Sequence, residues 1–141
     1  MTTVPGGLVV NETWTLAGSP YCIAGDIQVS LLTIEPGVEV LVDGPHEIEV
    51  LSTITANGTV VAPISFSTVG PLEPESQRWK GIKFTNTPYG SSFIHTIIEY
   101  SNQRAMNLVN ACAPIFEDCI LWNNSTTGDG AVSTQMGSTE S

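Results

Sequence analysis

The chain has 141 residues, with 14 Asp+Glu against 4 Lys+Arg and a formal net charge of −10 at neutral pH. That length suits one compact domain, and the charge excludes the basic surface that nucleic acid or anionic lipid requires. No apolar run reaches the ~18 residues that cross a bilayer as a helix, so membrane insertion is not expected.

Residues 1 to 20 read as an N-terminal lead-in. Leu8-Val9-Val10 suits a short strand, and Trp14 and Leu16 alternate with Thr13 and Thr15 as on a half-buried one. An open solenoid end exposes backbone groups and apolar interior together, so Trp14, Leu16 and Tyr21 are expected to help close that end.

From Tyr21 the pattern becomes periodic. Ile27-Gln28-Val29 returns as Ile48-Glu49-Val50, and Leu32-Thr33-Ile34 returns as Ile54-Thr55-Ala56. These are short β-branched runs with period-two alternation, separated by corners at Pro36-Gly37 and Asn57-Gly58. Gly37 and Gly58 are expected at equivalent corners, with φ positive. A repeat of about twenty residues is the signature of a solenoid, in which strands of successive coils stack at about 4.8 Å. Residues 69–80 break the period with Gly70-Pro71 and Pro74, and so read as an inserted loop on one face. Gly81-Ile82-Lys83-Phe84, Phe93 to Tyr100, Met106 to Val109 and Ile115 to Trp122 supply two more coils. Coils thus span 21–124, and 125–141 is a Ser/Thr/Gly-rich tail or an incomplete fifth coil.

Several phrases resemble a known family. Leu32-Thr33-Ile34-Glu35-Pro36-Gly37-Val38-Glu39-Val40 is similar to the opening coil of right-handed parallel β-helix proteins, the pectin/pectate-lyase-like superfamily. Ala62-Pro63-Ile64-Ser65-Phe66 and Trp79-Lys80-Gly81-Ile82-Lys83-Phe84 continue the likeness, which covers about residues 20 to 130. The resemblance implies an all-β, right-handed, single-stranded parallel β-helix, here of about four coils. Periodicity alone does not set the handedness.

The resemblance implies enzymes that act on acidic polysaccharides, the lyases with carboxylates that hold calcium and a basic residue that takes a proton, the hydrolases with two or three Asp or Glu around the glycosidic bond, both sets usually on the outer face of one stacked sheet. The outward positions here are Gln28, Glu49 and Lys83 in successive coils. Glu49 beside Lys83 is the candidate catalytic pair, against a simpler reading as a surface ion pair. Asp43-Gly44-Pro45-His46-Glu47 gathers acids and a histidine, but turn chemistry accounts for it, and no metal site is assigned. Calcium attracted by the acidic surface is the one cofactor considered. Three cysteines, Cys22, Cys112 and Cys119, lack zinc-finger spacing and read as small core side chains. Trp79 and Tyr89, at and just beyond the insertion, are the candidate ligand-binding residues, because an aromatic ring can stack on a sugar; the competing reading makes Trp79 a lid over a corner. Thr33, Thr53, Thr55 and Thr59 form no Thr-x-Thr motif repeated in every coil, which weighs against an ice-ordering face.

The expected function is that of a non-catalytic extracellular or cell-surface module, structural or carbohydrate-binding in the manner of an adhesin segment. The alternative is the N-terminal part of a polysaccharide lyase or glycoside hydrolase. Stacked coils could also self-associate end to end or side by side. Composition favours an extracellular location, although Met1 to Gly7 lacks signal-peptide character.

Overall fold

The computed structural model describes residues 1–85, 90–102, 105–109, 114–124 and 132–134. Every strand pairing among them is parallel, and the strands stack into a β-solenoid with three faces.

The first face stacks Thr2–Val4, Tyr21–Ile23, Glu39–Asp43, Ile64–Val69, Thr96–Glu99 and Ile120–Trp122. The second stacks Gly7–Val9, the first half of Ile27–Ile34, the first half of Ile48–Asn57, Ile82–Thr85, Met106–Val109 and Val132–Thr134. The third stacks Glu12–Trp14, the second halves of those two long strands, Ser92–Ile94 and Ile115–Glu117. Each long strand turns from the second face to the third without leaving the ladder, and the register shifts between Val29 and Leu31. A bulge of this kind bends a strand while keeping most of its hydrogen bonds.

Five turns are therefore complete and a sixth is begun, against about four expected. The additional turn is the first: residues 2–14 hold one strand on each face, in register with the next turn. Val9 and Trp14 are buried there, and Trp14 stacks on Tyr21 at a centroid distance of 4.7 Å. The Tyr21 hydroxyl accepts a hydrogen bond from the Thr15 backbone N–H. Leu16, expected to help close this end, is exposed.

The sequence repeat is the ladder itself. Ile27, Gln28 and Val29 stand level with Ile48, Glu49 and Val50, and Leu32, Thr33 and Ile34 with Ile54, Thr55 and Ala56. Alternation then sends Ile27, Val29, Ile48, Val50, Ile82, Phe84, Met106 and Leu108 into one continuous core. Phe93 meets Phe66 and Phe84, on the other two faces of its own turn, at ring-centroid distances of 6.2 and 6.0 Å, and stacks on Phe116 of the next turn at 5.6 Å. On the first face Ile98, not Ile97, is the buried member of that pair, and it stands level with Leu121.

The corners depart from expectation. Gly37 has φ +83°, but Gly58 lies outside the left-handed region, and register sets it level with Pro36 rather than Gly37. Gly58 is needed for a different reason: a Cβ there would stand 2.7 Å from the His95 carbonyl oxygen and 2.9 Å from the Ile64 nitrogen. Left-handed backbone occurs instead at His95, Tyr100, Asp118 and Asn123, with φ between 44° and 59°. Their sequence neighbours carry no glycine signal, so the turns they make split Phe93–Tyr100 and Ile115–Trp122 into two strands each.

Candidate functional site

The second face carries the outer column read from the sequence. Leu8, Gln28, Glu49, Lys83 and Asn107 stand level in five successive turns. Glu49 and Lys83 are thus direct ladder neighbours, although 34 positions separate them in the chain. The Glu49 carboxylate accepts a hydrogen bond of 3.1 Å from the Thr85 hydroxyl. Two residues earlier, on the same side of the chain, Glu47 is half-buried. Desolvation raises its pKa above the usual carboxylate range; the Lys83 charge works against that shift, Glu49 adds to it, Lys80 opposes it and Asp26 adds to it.

Asp26 organises the adjoining corner. Its carboxylate accepts from the Glu47 backbone N–H at 2.9 Å and lies 3.3 Å from His46 Nδ1. The Lys80 backbone N–H donates to the His46 carbonyl at 2.8 Å. Two part-buried acids, Glu47 and Glu49, the exposed Asp26 and two lysines therefore share one edge of the second face. Among the described residues, no group of three His, Cys, Asp or Glu side chains is arranged to hold a metal ion. The sequence singled out Glu49 and Lys83 but gave Glu47 only to the metal corner. Its i, i+2 relation to Glu49, one residue outside the strand, was the signal that joins it to this column.

The insertion is clamped to the wall. Its arginine, Arg78, is nearly buried: Nε donates to the Leu72 carbonyl at 2.7 Å, and one terminal nitrogen pairs with Glu73 at 2.9 Å. The guanidinium lies 5.5 Å from the centroid of the Tyr100 ring. A Cβ on Gly44 would collide with the backbone of Gln77 and Arg78, so the insertion sits directly on the Asp43-Gly44-Pro45 corner of the preceding turn.

Trp79 ends the insertion inside the protein. It is 0% exposed, its ring packs along Phe66 at 6.3 Å, and its indole N–H donates to the Glu99 carbonyl at 2.8 Å. Its backbone N–H donates to the Thr68 hydroxyl, and its strand bridge is to Ser101. Burial leaves no face of this indole open to a sugar ring. Tyr89 and Cys112 lie outside the described residues.

No family model, curated protein or solved structure matches the chain. What can be said of the site therefore rests on its own geometry.

Two minor readings also resolve. Thr13, Thr33, Thr55 and Ser92 stand level on the third face, but Leu31 stands level with Thr53, so a double hydroxyl track is interrupted. Cys119 is half-buried with its thiol donating to the Phe93 carbonyl, and burial pushes its pKa up, which makes a poor nucleophile. No described helix is long and apolar enough to cross a membrane.

Proposed function

We propose that this chain is a non-catalytic extracellular or cell-surface β-helix module of the pectin/pectate-lyase-like kind. It acts as a stiff shaft that presents its outer faces to a polysaccharide or another surface ligand. The observation that carries this reading is the clamped insertion. The 69–80 segment, which breaks the repeat, is pinned by Arg78 and sealed by Trp79 rather than held out as a lid. The chemistry of the chain goes into stacking turns and closing the core. Contact with a second copy, end to end or side by side, belongs to the same structural reading, and calcium would act only by bridging surface acids.

One observation favours a second reading, the N-terminal part of a polysaccharide lyase or glycoside hydrolase. A carboxyl with a raised pKa, Glu47, beside Glu49 and Lys83 is the kind of pairing that acid–base chemistry on a sugar uses.

A panel of neutral and acidic polysaccharides, incubated with calcium, separates the two when read both for bound protein and for released product. Retention on at least one polysaccharide without product is expected. New unsaturated or reducing ends, abolished by Glu47→Gln or Lys83→Met, would overturn the non-catalytic reading. No retention on any member would remove the carbohydrate ligand and leave the shaft alone.

A further inference from the structure

Among the described residues, one aromatic side chain stands open to solvent. Trp14 and Trp79 are buried, whereas Trp122 is 54% exposed. It lies on the outer side of the first face, level with Glu99 of the preceding turn, as Ile120 lies level with Ile97. Alternation turns Leu121 toward the core and leaves Ile120 and Trp122 outward. Burial is the usual state of an indole, so a tryptophan half in water calls for a reason.

This ring is open but not loose. Its N–H donates to the Glu99 carboxylate at 2.8 Å. The backbone just beyond it is tied to the turn above. The Tyr100 N–H donates to the Asn123 carbonyl at 3.1 Å, and the Asn124 amide oxygen accepts from the Ser101 N–H at 3.0 Å and the Ser101 hydroxyl at 2.7 Å. Asn124 Nδ2 in turn donates to the Ile98 carbonyl at 3.3 Å. A ring held in place beforehand loses little conformational entropy when a ligand arrives.

We propose that Trp122 with Glu99 is a stacking subsite for one residue of a neutral polysaccharide. The inference rests on the carbohydrate reading above and adds where on the shaft the sugar chain lies and which charge class it has. An indole face takes the C–H face of a pyranose, and a carboxylate beside it accepts hydroxyls at the sugar's rim. A carboxylate has acceptor sites enough to hold the indole and a hydroxyl at once. Ile120 and the half-buried Ile97 widen the apolar floor by one position, and Ser65 stands level with Ile97 one turn further up. Ile115, also exposed, lies on the third face beyond the Asp118 corner, so the patch has two exposed apolar side chains, Ile120 and Trp122. A stable protein interface takes about 20–30 residues a side; this patch matches a sugar ring instead. The Glu99 carboxylate and the net charge of −10 repel a uronate or sulfated chain, which sets the ligand as neutral.

The test measures the retardation of wild type, Trp122→Ala and Glu99→Gln in native gels cast with a soluble neutral glucan, a neutral mannan or polygalacturonate. Wild type should be slowed by at least one neutral polymer and not by polygalacturonate. Trp122→Ala should weaken that binding about tenfold or more, the scale of losing an aromatic anchor, while melting close to wild type because the side chain is half in water. Glu99→Gln keeps an acceptor for the indole N–H and removes the charge, so it should narrow the preference for neutral over acidic polymer. Acrylamide quenching of wild-type fluorescence needs no variant and decides alone if Trp122→Ala melts early. Trp14 and Trp79 are buried, so the quenchable emission is that of Trp122, and saturating neutral polymer should shield it. Full binding by Trp122→Ala, or unchanged quenching in polymer-bound wild type, would overturn the subsite and leave the carbohydrate reading standing. Retardation by polygalacturonate alone would overturn the neutral class. Retardation by none of the three would bring down the carbohydrate reading and the subsite together.

Discussion

Trp79 distinguishes a sugar platform from a structural plug, and its replacement gives opposite results in the two cases. Trp79→Ala removes a fully buried indole packed along Phe66. Large-to-small changes of this kind cost about 3–5 kcal/mol, because lost transfer energy and a residual cavity add. The Glu99 carbonyl also loses its donor at 2.8 Å. Against a usual stability of about 5–15 kcal/mol for a domain, that is a large share. Trp79→Phe separates the terms: it keeps most of the apolar volume and discards the indole N–H, so it should cost about 1–3 kcal/mol. Urea unfolding followed by tryptophan fluorescence and circular dichroism reads both variants, with the denaturant slope checking that the transition stays two-state. The expected order is wild type, then Phe, then Ala. If Trp79→Ala unfolded at the wild-type midpoint and instead lost affinity for a polysaccharide, the burial argument would be refuted and the indole would be a binding surface.

Two further outcomes follow from single residues. Gly58→Ala should lower stability by about 1–3 kcal/mol through crowding against the His95 carbonyl and the Ile64 nitrogen; an unchanged melting temperature would show that this corner has slack. Glu47→Gln should stabilise the protein at neutral pH and flatten its pH dependence. Burial raises the folded pKa of Glu47, so the folded state holds that proton longer, and stability falls as the pH rises through the raised value; thermal melts from mildly acid to neutral pH check the slope.

Much of the interior was legible before any coordinates. The two copies of Ile-x-Val and of the apolar-Thr-apolar triplet fall into register as written, because a buried position in one turn requires an apolar side chain directly above and below it. That same register delivered Glu49 and Lys83 to one outer column. The first turn escaped because its strands are three residues long and Gly6-Gly7 interrupts the alternation, leaving too little pattern to count. The corners at His95 and Asp118 escaped for another reason. Left-handed backbone normally announces itself with glycine or asparagine, and here stacking holds a histidine and an aspartate in it. The Arg78 clamp and the half-burial of Glu47 depend on where the insertion folds back. No local pattern encodes that path, although Gly44, whose missing side chain makes room for it, lies in plain view.

The ladder from Glu49 to Lys83 joins residues 34 positions apart, while Gln28 and Glu49 are joined at 21, and both pairs sit in the same register. The length of chain spent between one rung and the next is thus free to vary, whereas the rung itself is not. A protein built this way can acquire new material at a corner without renegotiating its interior. The exposed Gly70-Pro71 stretch of the 69–80 corner is accordingly the natural port for a grafted peptide or reporter, whereas Arg78 and Trp79 at its other end belong to the wall and the core.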